Sequence, residues 1–299
     1  MMLKEQILQL KKEKNAVILA HFYQNDEVQD IADYVGDSLA LSKIAAGTDA
    51  DIIVFCGVYF MAETAKILSP NKKVLLPKMN ALCRMAAMIK ADELKKYKEE
   101  HPDRFIVTYV NTRADIKALS DVIVTSSNAE KIVENFKDKK IMYVPDKNLG
   151  TYLRHKTGYD IDVWPGFCYI HDMLTISDIK KKRKEYPDAL VLIHPEAPLE
   201  VLLQADFVGS TKQILDYATK SDAKEFIIGT DEGIIHALKK NNPNKSFHIL
   251  ANGLSCINMK RITLKDVYES LLHEQHEIKV DQDVLEKAQV ALDRMMRLS

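Results

Sequence analysis

The chain has 299 residues, of which 46% are hydrophobic and 28% charged, and its formal net charge is −1. With 42 basic against 43 acidic side chains, no general electrostatic attraction to nucleic acid is expected. The length supports one large or two to three small compact units, and the longest apolar run, Ile52 to Ala62, is too short to span a bilayer.

Met1 to Lys14 has the pattern of a charged amphipathic helix, not of a signal peptide. A cytoplasmic, reducing location is therefore expected, where the four dispersed cysteines are metal ligands, catalytic groups or core residues rather than disulfides. A strand follows at Ala16–Ala20 and ends at His21; Asp33–Ser38 and Asp51–Gly57 read as the next two, with helices between. A helix at about Met61–Leu68 leads to Lys73–Pro77 and then to Cys83. These runs are apolar throughout, which argues for a parallel sheet covered on both faces.

The same order returns twice. Arg104–Asn111, Asp121–Ser126, Lys140–Asp146 and a short fourth run reach Cys168. Leu190–His194, Ala205–Thr211, Lys224–Thr230 and Pro243–Leu250 reach Cys256. The basic run Lys180–Lys184 lies in a helical stretch flanked by Asp178 and Glu185 and reads as a solvated face. Three α/β units of about four parallel strands follow, closed in a pseudo-threefold arrangement, since three copies are too few for a long solenoid. The expected divisions are 1–85, 86–172 and 173–262, with a helical tail at 263–299 packing back on the first unit.

Ligands of open α/β sheets bind at the carboxyl ends of strands. The first strands end at His21 and Tyr23, at Tyr109 and Asn111, and at His194 and Glu196. The second strands end at Ser38, at Ser126 and Ser127, and at Ser210 and Thr211. A hydroxyl at a helix start is either a plain N-cap or part of an anion site, and both readings stand. Cys83, Cys168 and Cys256 follow the fourth strands at near-equal spacing, whereas Cys56 lies inside an apolar strand and reads as core. Three thiolates fit a zinc site completed by His171 or a 4Fe–4S cluster with one iron not held by protein sulfur. A non-catalytic metal or redox sensor and a metal-free sugar-phosphate lyase remain rival functions.

The motifs Leu19–Gln24, Gly36–Leu39, Phe60–Glu63, Tyr109–Asn111, Thr125–Asn128, Pro145–Gly150, His194–Glu196, Gly209–Thr211 and Asn258–Lys260, with the three cysteine contexts, closely resemble the quinolinate synthase (NadA-type) family over nearly the whole chain. The resemblance implies a triangular fold around a central cavity floored by a 4Fe–4S cluster on Cys83, Cys168 and Cys256. It implies condensation of iminoaspartate (iminosuccinate) with dihydroxyacetone phosphate to quinolinate in NAD biosynthesis, with the open iron as Lewis acid. An L-aspartate oxidase or dehydrogenase would then supply the iminoaspartate. By motif, the substrate-binding positions are His21, Ser38, Tyr109, Val110, Asn111, Ser126, His194, Pro195, Glu196, Ser210 and Thr211. Glu196, Tyr23, His21 and His194 carry the acid–base chemistry, with Glu196 as the main base because it is the only carboxylate at the first-strand ends. Phe22, Arg113, Phe167 and Ala197 depart from the family pattern, and none of them removes a cysteine.

Overall fold

Three four-stranded parallel sheets carry the fold in the computed structural model, which describes residues 2–299. The first is built from α1 (Leu3–Glu13), β1 (Ala16–His21), α2 (Asp26–Ile31), β2 (Tyr34–Gly36), α3 (Ser38–Gly47), β3 (Ile52–Cys56), α4 (Tyr59–Leu68) and β4 (Lys73–Leu75). The second comprises α5 (Ala91–Glu100), β5 (Arg104–Tyr109), α6 (Ala114–Lys117), β6 (Val122–Val124), α7 (Ala129–Glu134), β7 (Lys140–Val144), α8 (Lys147–Thr157) and β8 (Ile161–Val163). The third comprises α9 (Ile176–Glu185), β9 (Leu190–Ile193), α10 (Leu199–Leu202), β10 (Phe207–Val208), α11 (Thr211–Lys220), β11 (Glu225–Gly229), α12 (Ile234–Asn241) and β12 (Ser246–Ile249). The helices α13 (Leu264–His273) and α14 (Gln282–Leu298) follow.

Strand order is the same in each sheet: β2-β1-β3-β4, β6-β5-β7-β8 and β10-β9-β11-β12. The apolar runs become strands because helices cover both faces; Ile18, Leu19, Ile53 and Val54 are fully buried. The repeat extends to single hydrogen bonds. Asp33, Asp121 and Asp206 each accept, through the side chain, the N–H of the residue fifteen positions earlier: Ile18 at 2.8 Å, Ile106 at 2.7 Å and Val191 at 2.7 Å. The backbone N–H of each aspartate returns a bond to the same residue's carbonyl. These clamps fasten the very short β2, β6 and β10 to their neighbours where few ladder bonds are available. Capping boxes at Thr175, Ser210 and Thr263 start α9, α11 and α13.

The tail does not lie on the first unit alone. Helix α13 packs on α1 and beside β3, but α14 lies against α6, β6 and α7 of the second unit as well as α4 of the first. Arg294 donates to the Asp121 carbonyl at 2.6 Å, and Asn128 donates to the Ser299 hydroxyl at 2.7 Å. The amphipathic pattern of α14 marks an apolar face, but the groove that receives it exists only once two units have met. Among the described residues no helix is long and apolar enough to cross a membrane.

Gly166 lets the loop that carries Cys168 lie close to β7. Its carbonyl accepts from the Lys147 N–H at 2.8 Å, and a Cβ there would stand 2.5 Å from the Pro145 carbonyl oxygen. Gly166→Ala should therefore cost about 1–3 kcal/mol, the usual scale of overpacking against backbone. Gly47→Ala, whose Cβ meets nothing within 4 Å, is the control. Urea midpoints of the two variants check this; equal midpoints would show that the loop has room to give.

Candidate active site

The carboxyl ends of the three sheets converge on one cavity of about 70 Å3. A water takes roughly 10–15 Å3 by this measure, so the space admits a small molecule and no polymer. His21, Tyr23, Ser38, Tyr109, Asn111, Ser126, His194, Glu196, Thr211 and all three candidate thiols line it. Val110, Pro195 and Ser210 do not. Val110 and Pro195 face neighbouring clefts. The Ser210 hydroxyl caps α11 on the Gln213 N–H and meets Ser127 at 2.6 Å and Asp37 at 3.4 Å. For Ser210 the cap reading is the observed one, whereas Ser38, Ser126 and Thr211 line the cavity, the last two with hydroxyls on His194 and Tyr23.

The histidines are set by backbone. The Tyr23 N–H donates to His21 Nδ1 at 3.2 Å, and the Glu196 N–H donates to His194 Nδ1 at 3.4 Å. With Nδ1 accepting, the proton of each neutral ring sits on Nε2, where His194 meets Ser126 Oγ at 3.2 Å. Desolvation holds both imidazoles down, at about 3, so they are neutral donors rather than cations. This bears on stability. The unfolded chain takes up protons below the ordinary value of 6.5 while the fold resists them to about 3. Their contribution is complete above 6.5 and is lost as pH falls from there toward about 3. A His21→Gln/His194→Gln variant should thus show a shallower fall in thermal midpoint on acidification of the apoprotein. An unchanged slope would show that other groups govern it.

Glu196 is joined to Tyr23 by a chain that crosses units. Its Oε2 accepts from His171 Nδ1 at 2.7 Å. His171 Nε2 therefore accepts from the Thr230 hydroxyl at 2.9 Å, and Thr230 accepts from the Tyr23 hydroxyl at 2.6 Å. Thr211 completes the array 2.8 Å from the Tyr23 oxygen. Asn111 donates to Glu196 Oε1 at 3.3 Å, and Asn148 holds the Glu196 carbonyl at 2.9 Å. Burial opposes charge on Glu196, but His171, which also donates to it, outweighs this and keeps the carboxylate ionised. Tyr23 is pushed well above the ordinary phenol range by burial and by the Glu196 charge, so it holds its proton.

Thr230, Asp231 and the part played by His171 escape the sequence pattern. Thr230 and Asp231 follow a third strand, whereas the pattern compares the ends of first, second and fourth strands. At a third-strand end Asp146 of the second unit also stands, taking the Asn148 and Leu149 N–H groups at 2.8 and 3.1 Å. Asp231 accepts the Cys256 N–H at 2.6 Å and so fixes the last cysteine loop.

Cys83, Cys168 and Cys256 are free and half-buried, while Cys56 is fully buried in β3. Desolvation raises all three cavity thiols, Cys83 to about 12 and Cys168 well above its ordinary value. Three desolvated soft donors, one from each sheet, fit a thiolate-bound metal centre, whose binding would displace their protons. Ligand atoms of Cys168, His171 and Glu196 also lie within 4.8 Å of one another. Both His171 nitrogens already have protein partners, which disfavours it as a fourth ligand. Phe22, Arg113, Phe167 and Ala197 do not line the cavity: Phe22 and Ala197 are core, Arg113 lies over Tyr59, and Phe167 lies under the Lys147 ammonium.

A family model described as quinolinate synthetase A protein matches residues 5–297. The chain is 53% identical over 298 residues to the quinolinate synthase of Caldicellulosiruptor saccharolyticus, spanning 99% of this chain and 98% of that one. It is 50% identical over 301 residues to that of a Sulfurihydrogenibium species, spanning 99% and 98%. With that of Clostridium perfringens it shares 49% over 297 residues, spanning 99% of each.

Proposed function

The chain belongs to the quinolinate synthetase A family, and from that premise we propose that it condenses iminoaspartate with dihydroxyacetone phosphate to quinolinate on a 4Fe–4S cluster held by Cys83, Cys168 and Cys256. It is an enzyme of NAD biosynthesis that acts on small molecules. The observation that carries the finer reading is one cavity walled by three thiols, one from each sheet, beside an ionised glutamate and neutral histidines. Bound there, the cluster would supply an iron with an open coordination position, a Lewis acid for a substrate oxygen or nitrogen. An enzyme that oxidises L-aspartate would supply the iminoaspartate.

The protein groups divide the remaining work. Ser38, Ser126 and Thr211, at or near the starts of α3, α7 and α11, take the phosphate and carboxylate oxygens, where helix N–H groups also favour anions. The Nε2–H groups of His21 and His194 donate to substrate oxygens without adding charge. Glu196 takes a carbon-bound proton. The hydrogen bonds through Thr230 and His171 orient Tyr23 and Glu196 without passing a proton between them, and each group handles its own: Glu196 takes the proton from carbon, and Tyr23 gives its hydroxyl proton to a leaving hydroxyl. Tyr23 can take the acid's role because burial and the Glu196 charge keep it protonated.

Anaerobically purified protein should be brown, hold about four irons and four sulfides per chain, and form quinolinate from the two substrates. Stoichiometric zinc without acid-labile sulfide would sink the cofactor assignment and revive the zinc alternative.

A further inference from the structure

Lys117 ends α6, and its side chain is wholly buried, a rare state for a lysine. Its ammonium donates to the Val110 carbonyl at 2.9 Å and to the Thr112 carbonyl, and its third side faces the Phe60 ring, 5.4 Å from the centroid. The two carbonyls flank Asn111, whose carboxamide reaches Glu196. At the other end of α6, the buried carboxylate of Glu63, from the first unit, accepts the Ala114 N–H at 3.2 Å. A helix of four residues, too short to be stable alone, is thus pinned at both ends by buried charge.

We propose that Lys117 is a positioning residue: by gripping both carbonyls around Asn111 it holds that carboxamide against Glu196 and the substrate. The inference rests on the proposed function, in which Asn111 and Glu196 face the substrate. The grip is local, since it fixes peptide groups only one residue either side of the functional side chain. Burial works against charge on Lys117, and the Glu63 charge acts the other way.

Cluster-loaded variants separate this role from simple gluing of two units. Lys117→Met removes a cation whose charge favours the buried Glu63 carboxylate and should lower the thermal midpoint. Glu63→Gln/Lys117→Met removes both charges and should recover most of that loss, so it reports even if the single variant folds poorly. In the double variant kcat/KM for dihydroxyacetone phosphate, read as quinolinate formed, should stay about 10²-fold low, the scale of a displaced reactive group, with cluster absorbance unchanged. Adding Asn111→Ala to Lys117→Met should cost little beyond Asn111→Ala alone, because the two act through one contact. Wild-type kcat/KM in the double variant would overturn the proposal, as would losses that multiply. Full activity of Asn111→Ala would overturn the site assignment instead.

Discussion

Glu196→Gln should keep its cluster, bind substrate and yet form quinolinate roughly 10² to 10⁴ times more slowly, the range general acid–base catalysis supplies. The substitution preserves volume and hydrogen bonding while removing the charge. The amide oxygen can still accept from His171 Nδ1, which stands 2.7 Å from Oε2 in the native site. The new NH2 can face Asn111, whose own Oδ1 is buried without a partner. Little strain is therefore expected, and the fold around Cys168 should persist. What is lost is the ionised carboxylate that His171 stabilises against burial. Initial rates compared at equal cluster absorbance measure the effect. Near-wild-type turnover would reject Glu196 as the base and shift the role to Tyr23 or His21.

The second large effect is selective among sulfurs. Cys83→Ser, Cys168→Ser and Cys256→Ser should each abolish cluster retention and activity, because a serine hydroxyl does not ionise to replace a thiolate near neutral pH. Cys56→Ser should retain both. That sulfur lies inside β3, away from the cavity, and its thiol is pushed up by burial alone. Placing a hydroxyl there costs about 1–3 kcal/mol if it finds no partner. Iron content, visible absorbance and thermal midpoint on all four variants decide the matter. A folded but colourless Cys56→Ser protein would mean that the ligand set is misassigned.

Much of the fold is legible in the residue order. The Asp and Ser five residues apart at 33–38 and 121–126 mark two edges that carry the same clamp, and Asp206 adds the third. His21, Tyr109 and His194 stand at first-strand ends, and the strand period alone places them at one rim of each sheet. The three thiols stand at equivalent turns, a correspondence that needs no contact information.

Local pattern is enough to set the repeated units, their strand ends and their cysteines, because apolar periodicity and turn chemistry act over a few residues. Which polar groups meet is settled by packing between units. Tyr23 reaches Thr230 across 207 positions, and Ser127 reaches Asp37 across 90. Ser210, alike in sequence to its counterparts, is consumed as a cap and a junction contact rather than turned to the cavity. Nothing in the sequence marks Lys117, whose burial against Phe60 comes only when α4 of the first unit meets α6 of the second. Such contacts depend on how three units settle against one another, and burial then obliges each polar group to find whichever partner that packing leaves within reach.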